Sequence, residues 1–255
     1  MMNKENVCFD SDGLKLKGQL FFPGRTHYPV LCLCHGMPRG GTADPNDRGY
    51  AGLAERFAEE GFLTVVFNFR GAGESEGNFD ILGWTEDLKA VLKYIYTMNK
   101  TDTKNISLMG FSAGAAVSIY VAAQDKRITS VISCACPDTS RLAKNREFAQ
   151  KVVDDYRKMG VIKDANFPHS LQSWMQGFDE VYSGKWIDRL APRPVLLIHG
   201  DQDDVVSPTS AFNLYKQAGE PKDLLIIKGA GHRLRISEEA MSYALGWLKS
   251  HRIRD

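Results

Sequence analysis

The sequence lacks the features that would direct a protein to a membrane, a secretion route or a nucleic acid. No window of its 255 residues approaches the roughly 18 continuous apolar residues of a membrane-spanning helix, and residues 1–6 are polar where a secretory signal has an apolar segment. Lysine and arginine number 32 against 31 aspartates and glutamates, and the two signs are mixed along the chain. We therefore predict a cytoplasmic protein that binds no nucleic acid and no membrane, and that acts on small neutral or mildly polar molecules.

Cysteine is also scarce. The chain has five cysteines, an odd number, and four of them alternate along predicted strands, namely Cys32, Cys34, Cys134 and Cys136. This spacing is typical of small buried apolar side chains and not of a disulfide framework. A Cys-x-Cys pair places both thiols on one face of a strand, but no cluster with zinc spacing accompanies it. We predict no metal site and no organic cofactor.

Strand and helix patterns alternate along most of the chain. An antiparallel hairpin opens the sequence, and continuous apolar runs typical of strands covered on both faces follow it. This order predicts an α/β fold with a mostly parallel sheet between two layers of helices, and ligands beyond the carboxyl ends of the strands. The predicted strands cover 7–9, 14–22, 29–34, 63–67, 105–109, 128–136, 194–199 and 224–227, and the helices cover about 48–60, 85–98, 113–123, 208–219 and 237–249.

The alternation is interrupted between about residues 138 and 192, a segment that we call the insertion. It has amphipathic helical spacing and then an aromatic-rich stretch, and it is far longer than a short crossover requires. We predict one domain, 1–255, in which the insertion forms a small helical cap over a pocket. A plain helical crossover is the alternative, and each single aromatic is better explained as a core residue. The aromatics in question are Phe167, Trp174, Phe178, Tyr182 and Trp186.

A serine between two glycines is the chemical centre of the sequence. Gly110-Phe111-Ser112-Ala113-Gly114 stands between a buried strand and a helix of small residues. A sharp strand-to-helix turn needs glycine on both sides and lifts the serine hydroxyl clear of the sheet edge, as in a nucleophile elbow. The alternative is an ordinary glycine-rich turn, for example one that binds a phosphate.

A serine nucleophile needs a base and an acid, and both are available after later strands. His232 follows Gly229-Ala230-Gly231, a loop flexible enough to bring its ring to the sheet edge, so we predict His232 as the base. The other histidines at 27, 169, 199 and 251 fit structural or solvated roles. Three aspartates follow the strand at 194–199. Asp201 is too close to the strand to reach over easily, and we favour Asp203 over its neighbour Asp204 as the acid, partly on the family resemblance described below. We expect Asp204 to hydrogen-bond the loop.

Together these motifs resemble the α/β-hydrolase superfamily. The resemblance rests on the elbow, on His35-Gly36, on Asn68-Phe69-Arg70-Gly71, on His199-Gly200-Asp201-Gln202-Asp203 and on Gly231-His232, and it covers nearly the whole chain. It implies an eight-stranded, mostly parallel sheet, a Ser112-Asp203-His232 triad, and an oxyanion hole formed by the backbone amides of Met37 and Ala113. Asn68 replaces an aspartate found in many relatives, at a position that is usually structural. The serine excludes dienelactone hydrolase and haloalkane dehalogenase activity.

The predicted activity is hydrolysis of small carboxylic esters through an acyl-enzyme on Ser112. A peptidase or amidase is the first alternative, because the Asp203-Asp204 loop also resembles the prolyl-oligopeptidase group; those relatives usually carry an N-terminal propeller, whereas this chain begins near its first strand. The second alternative is a binding protein that kept the fold without the chemistry. The aromatics of the insertion could line the substrate pocket or face a second subunit of a homodimer.

Overall fold

One eight-stranded sheet runs through the molecule. The computed structural model describes residues 3–24, 27–38, 47–99, 101–138 and 141–253, the side chain of residue 141 excepted. The strand order is β1-β2-β4-β3-β5-β6-β7-β8, with β1, β2 and β4 antiparallel in succession and all other pairs parallel. The strands are β1 Asn3–Ser11, β2 Leu14–Phe22, β3 Tyr28–Cys34, β4 Leu63–Phe67, β5 Thr101–Phe111, β6 Ser130–Cys134, β7 Val195–Gly200 and β8 Lys222–Ile227.

Helices cover both faces of this sheet, because its central strands are apolar on both sides. In β3, for example, Cys32 and Cys34 face a core shared with α2, α3 and α7, whereas Leu31 and Leu33 face a core shared with α1 and α8. The predicted fold class, α/β with a mostly parallel sheet, is therefore confirmed. The helices are α1 Gly49–Glu59, α2 Ile81–Thr97, α3 Ala113–Gln124, α4 Arg141–Lys144, α5 Arg146–Lys158, α6 Leu171–Glu180, α7 Thr209–Gln217 and α8 Glu238–Ser250.

Two predicted boundaries are wrong for identifiable reasons. Helix α2 begins at Ile81 and not near residue 85, since the Asp80 carboxylate accepts a hydrogen bond from the amide of Gly83 and caps the helix there. Strand β6 ends at Cys134 and not at Cys136, because Ala135 has a φ of 50° and turns the chain out of the extended conformation. Cys136, the second cysteine of the Cys134-x-Cys136 pair, therefore lies in the loop after β6. Cys136 is nevertheless buried, as are Cys32, Cys34 and Cys134.

The insertion forms helices α4, α5 and α6 and two short 3-10 turns, Ser183–Lys185 and Ile187–Leu190. Helix α5 is amphipathic, and its buried residues join the core on the α2 and α3 side of the sheet. The indole of Trp174 in α6 donates a hydrogen bond to the carbonyl of Phe79, which anchors the insertion to the loop after β4. Among the described residues, no helix is long and apolar enough to cross a membrane.

Candidate active site

Ser112 occupies the turn between β5 and α3 in a strained backbone conformation. Its φ is 53° and its ψ is −123°, a region that side-chain-bearing residues rarely adopt. The neighbouring glycines make the turn possible. A side chain at Gly110 would overlap the backbone of Ala115, and one at Gly114 would overlap the carbonyl oxygens of Cys34 and His35. The close packing of β3, β5 and α3 thus fixes the position of the serine.

The loop after β3 passes directly beside this serine. A methyl group at Gly36 would lie 3.0 Å from the Cβ of Ser112, so the His35-Gly36-Met37 segment contacts the turn closely. His35 donates from Nδ1 to the carbonyl of Gly36 at 2.7 Å and accepts at Nε2 from the amide of Phe69 at 3.1 Å. These partners fix the neutral tautomer, and burial lowers the pKa of His35 to about 4. The Gly36 carbonyl and the Met37 amide share one peptide plane, so His35 also orients that amide.

His232 and Asp203 are brought together by the loops after β8 and β7. The Nδ1 of His232 lies 2.8 Å from Oδ2 of Asp203, whose side chain is fully buried. The other carboxylate oxygen, Oδ1, accepts hydrogen bonds from the amides of Val205 and Val206, each at 2.9 Å. Burial alone would raise the pKa of Asp203, but hydrogen bonds from His199, His232 and the two amides outweigh it and hold the pKa well below its usual range.

The three aspartates after β7 have different surroundings. Asp201 is exposed, and its carboxylate accepts a hydrogen bond from the amide of Gly229 at 2.6 Å, which holds the loop that leads to His232. Asp204 is exposed beside the cavity and, within the described parts of the chain, makes no hydrogen bond. Our expectation that Asp204 bonds the loop is therefore wrong; Asp201 takes that role, because its side chain points along the sheet edge toward Gly229.

A second histidine contacts Asp203: His199 has the structural, hydrogen-bonded role predicted for it, but the sequence analysis did not anticipate Asp203 as its partner. His199, at the end of β7, is buried and has its Nε2 3.2 Å from Asp203 Oδ2 and 3.0 Å from the carbonyl of Val206. A carbonyl can only accept, so Nε2 carries the proton and donates. The four-residue spacing between His199 and Asp203 across the turn after β7 is the sequence signal that could have indicated this contact.

Ser112, His232 and the predicted oxyanion donors Met37 and Ala113 line one cavity of about 1400 Å³. No hydrogen bond joins the Ser112 hydroxyl to His232 in the described part of the chain. In enzymes without substrate this contact is often longer than a hydrogen bond and shortens when substrate binds. Ser112, His232, Met37 and Ala113 therefore share one cavity, and Asp203 lies buried behind it within hydrogen-bond distance of His232.

The cavity has two dissimilar walls. The sheet-edge loops, by which we mean the segments after β3, β5, β7 and β8, contribute the polar groups already described. The insertion covers the opposite side with mostly apolar side chains, namely Leu142, Phe148, Val152, Met159, Phe178 and Val181. Of the five aromatics singled out in the sequence, only Phe178 and Tyr182 line the cavity. Trp174 is buried against Phe79 and Phe178, and Trp186 packs on Tyr120.

A charged pair beside His232 was also not anticipated. Arg235 forms a two-armed ion pair with Asp47 and lies over the ring of Tyr50, 5.2 Å from its centre. The Arg235 and Asp47 side chains are only 20% and 10% exposed, so the pair is shielded from water and ties the His232 loop to the start of α1. Sequence spacing gives no signal for a contact between residues so far apart.

The loop after β4 is held by a second buried pair. The Arg70 guanidinium donates to Asp87, whose carboxylate also accepts a hydrogen bond from the Arg70 amide at 2.7 Å. Asn68 lines the cavity, and its carbonyl accepts a hydrogen bond from the Ser75 hydroxyl at 2.6 Å. Within the described ranges, no group of three or more His, Cys, Asp or Glu side chains is arranged to hold a metal ion.

The chain is similar in sequence to known proteins. The chain is 32% identical over 165 residues to the quorum-quenching protein AidA of Acinetobacter baumannii, a match that covers 62% of this chain and 52% of AidA. The chain thus spans about half the length of this curated relative.

Solved structures share the fold over nearly the whole chain. The α/β hydrolase GrgF of Penicillium superposes with a TM-score of 0.75 at 22% identity, covering 98% of this chain and 99% of GrgF. The esterase Pf2001 of Pyrococcus furiosus gives a TM-score of 0.70 at 23% identity, covering 98% and 93%. The sequence profile of the X-Pro dipeptidyl-peptidase (S15) family matches residues 12–181, which is more than half of the chain. The protein therefore belongs to the X-Pro dipeptidyl-peptidase (S15) family of the α/β-hydrolase superfamily.

Proposed function

We propose that the protein is a serine hydrolase that cleaves carboxylic esters of modest size through an acyl-enzyme on Ser112. The observation that carries this proposal is the 2.8 Å contact between His232 Nδ1 and the buried Asp203 carboxylate, in the cavity that Ser112 also lines. A serine hydroxyl becomes a useful nucleophile when a histidine held in one tautomer can take its proton.

In the proposed reaction the Ser112 oxygen attacks the ester carbonyl while His232 takes the hydroxyl proton. Asp203 holds the imidazole in its productive orientation and stabilises the positive charge that forms on it. The amides of Met37 and Ala113 donate hydrogen bonds to the carbonyl oxygen as it becomes negative, and such a donor contributes roughly 3 kcal/mol to the transition state. His232 then gives its proton to the leaving alcohol, and a water molecule releases the acyl group by the same steps.

The insertion supports a preference for substrates with an apolar acyl or aryl group. Its side of the cavity is lined mainly by Leu142, Val152, Met159, Phe178 and Val181, which offer an acyl chain apolar contact. The polar lining residues of the insertion are Asp138, Asp155, Tyr156, Tyr182 and Ser183. The leaving group must lie beside His232, where the wall is polar and contains Asp204, Ser207 and Arg233. We therefore propose esters with an apolar acyl part and a polar alcohol part.

A peptidase is the second candidate, favoured by the match to the X-Pro dipeptidyl-peptidase family. The proposed groups would serve an amide as well as an ester, because acyl transfer to a serine is the same chemistry with a poorer leaving group. Substrate choice then depends on the cavity and not on the serine, the histidine or the aspartate.

The deciding experiment compares wild-type protein with Ser112→Ala on p-nitrophenyl acetate, butyrate and octanoate and on an X-Pro dipeptidyl p-nitroanilide. We expect ester turnover that rises with acyl length, a fall of at least about 10⁴-fold in the variant, and a single fluorophosphonate adduct on Ser112 by mass spectrometry. Faster cleavage of the anilide than of every ester would establish the peptidase. The absence of both turnover and a fluorophosphonate adduct in the wild type would support a binding protein on a hydrolase fold.

A further inference from the structure

Helix α5 of the insertion contributes an apolar side to the cavity and also contacts the loop that carries a proposed oxyanion donor. Its cavity-facing side chains include Phe148, Val152, Tyr156 and Met159. Of these, Tyr156 reaches across to the other wall: its hydroxyl donates a hydrogen bond to the carbonyl of Pro38 at 3.1 Å. The insertion and the loop after β3 are therefore joined by a direct polar contact inside the cavity.

The Tyr156 side chain is buried and held in one orientation by its neighbours. Tyr156 is only 7% exposed, and its ring packs edge-on against Phe79 with 5.1 Å between the ring centres. The ring is thus held by packing, and the hydroxyl is presented to Pro38 at little cost in side-chain freedom. The hydrogen bond to Pro38 stabilises the hydroxyl in this buried position.

Pro38 directly follows Met37, the residue whose amide we propose as an oxyanion donor. The ring of Pro38 fixes its φ, so few free torsions separate its carbonyl from the Met37 amide. On the other side of Met37, the His35 ring donates to the carbonyl of Gly36 at 2.7 Å. The Gly36–Pro38 segment that carries the Met37 amide is therefore restrained on both sides of Met37, by His35 after β3 and by Tyr156 from the insertion.

We infer that Tyr156 is a positioning residue that holds the Met37 amide in place for the oxyanion through its hydrogen bond to Pro38. This inference rests on the proposed function. It gives the insertion a role in the chemical step in addition to substrate binding: the helix that contacts the acyl group also restrains the donor that stabilises the transition state.

The test is Tyr156→Phe, which keeps the packed ring and removes the hydroxyl. Removing an oxyanion donor outright costs about 10²- to 10³-fold in kcat, and a donor that is only less well held should cost on the order of 10-fold. We expect this fall in kcat for acetate and octanoate esters alike, with KM changed by less than about twofold. The Ki of a trifluoromethyl ketone, which forms a tetrahedral oxyanion on the serine, should rise by the same factor of roughly 10.

Tyr96→Phe is the matched control. The Tyr96 hydroxyl also donates to a half-buried partner, Asp125, at 2.8 Å, but Tyr96 lies outside the cavity lining. It should lose similar stability and keep wild-type kcat. All rates are divided by the concentration of Ser112 that a fluorophosphonate labels, so that unfolded molecules are not counted.

Pro38→Ala provides an independent variant if Tyr156→Phe is poorly folded. It keeps both partners of the hydrogen bond but frees the φ torsion next to Met37, and we expect a fall in kcat of a few-fold without a change in KM. Unchanged kcat and Ki in Tyr156→Phe, or a rise in KM alone, would overturn the inference while leaving the serine hydrolase intact. A wild-type protein without turnover or label would instead overturn the proposed function.

Discussion

The two walls of the cavity are built in different ways. On the sheet-edge side, each polar group is fixed by local backbone geometry: Ser112 by a turn with a φ of 53°, and Asp203 by four donors on its two oxygens. On the insertion side, the apolar lining depends on how whole helices pack over the sheet. On our proposal, the sheet-edge wall carries the reacting groups and the insertion wall selects the substrate, with Tyr156 joining the two walls.

The largest expected effect comes from replacing, one at a time, two neighbouring aspartates on the sheet-edge side. Asp203→Asn should lower kcat/KM by about 10³- to 10⁴-fold, because an amide does not hold His232 in the required tautomer and does not stabilise its charge. Asp204→Asn is the comparison, since Asp204 lines the cavity but makes no hydrogen bond among the described residues; it can alter KM through the alcohol part of the ester, whereas its effect on kcat should be within about twofold. Both rates are measured with p-nitrophenyl butyrate. Equal losses would mean that the buried aspartate does not orient the base.

Gly114, beside the serine turn, and Gly177, in the insertion, should differ in how much stability an added methyl group costs. Gly114→Ala should reduce the free energy of unfolding by roughly 3 kcal/mol, because its new methyl group meets backbone oxygens of β3 that cannot move. Gly177→Ala in α6 is the comparison. Its methyl group would lie 3.1 Å from side-chain atoms of Ile81 and Leu82, which can adjust, so we expect less than about 1 kcal/mol. Urea unfolding measures both, and a large loss in Gly177→Ala would show that the insertion is as tightly packed as the turn.

The pH dependence of stability should report on His35. Its pKa is lowered from 6.5 to about 4 by burial, so as the pH falls through this range the unfolded chain takes up a proton that the folded chain refuses. The contribution of the neutral His35 to the free energy of unfolding is fully present above pH 6.5 and is lost as the pH falls toward 4. At about 1.36 kcal/mol per pH unit, the loss between pH 7 and pH 4.5 is about 2.5 kcal/mol. His35→Gln should show a loss smaller by this amount in urea unfolding, and an identical loss in both proteins would contradict the assignment.

Substitution of an apolar lining residue on the insertion side, unlike Tyr156→Phe, should change binding and not chemistry. Val152→Ala removes apolar surface from the cavity wall, and we expect KM for p-nitrophenyl octanoate to rise about fivefold. KM for the acetate ester and kcat for both esters should stay near wild-type values, because an acetyl group is too short to require the α5 side of the cavity. A similar change for both esters would mean that the acyl group lies elsewhere.

The same contrast explains what could be predicted from the sequence. The fold class and most strands followed from apolar runs and turn residues. Ser112, His232, Met37 and Ala113 line one cavity, with Asp203 buried behind His232, because each of these segments follows the end of a parallel strand. The insertion could be recognised by its length but its contacts could not be derived. Whether Trp174 or Phe178 faces the cavity depends on the rotation of α6, and the Tyr156-Pro38 bond joins residues 118 positions apart.

Ser112 has a further consequence for the energetics of the whole domain. A residue with a side chain in this backbone region costs roughly 1–3 kcal/mol, and glycine would occupy the same turn without that cost. The surrounding layers, in which β3, β5 and α3 touch through glycine, must therefore be stable enough to hold the serine in place. The position that we propose for the chemistry is also one where the protein has given up stability, a trade-off between folding and reactivity set at a single residue.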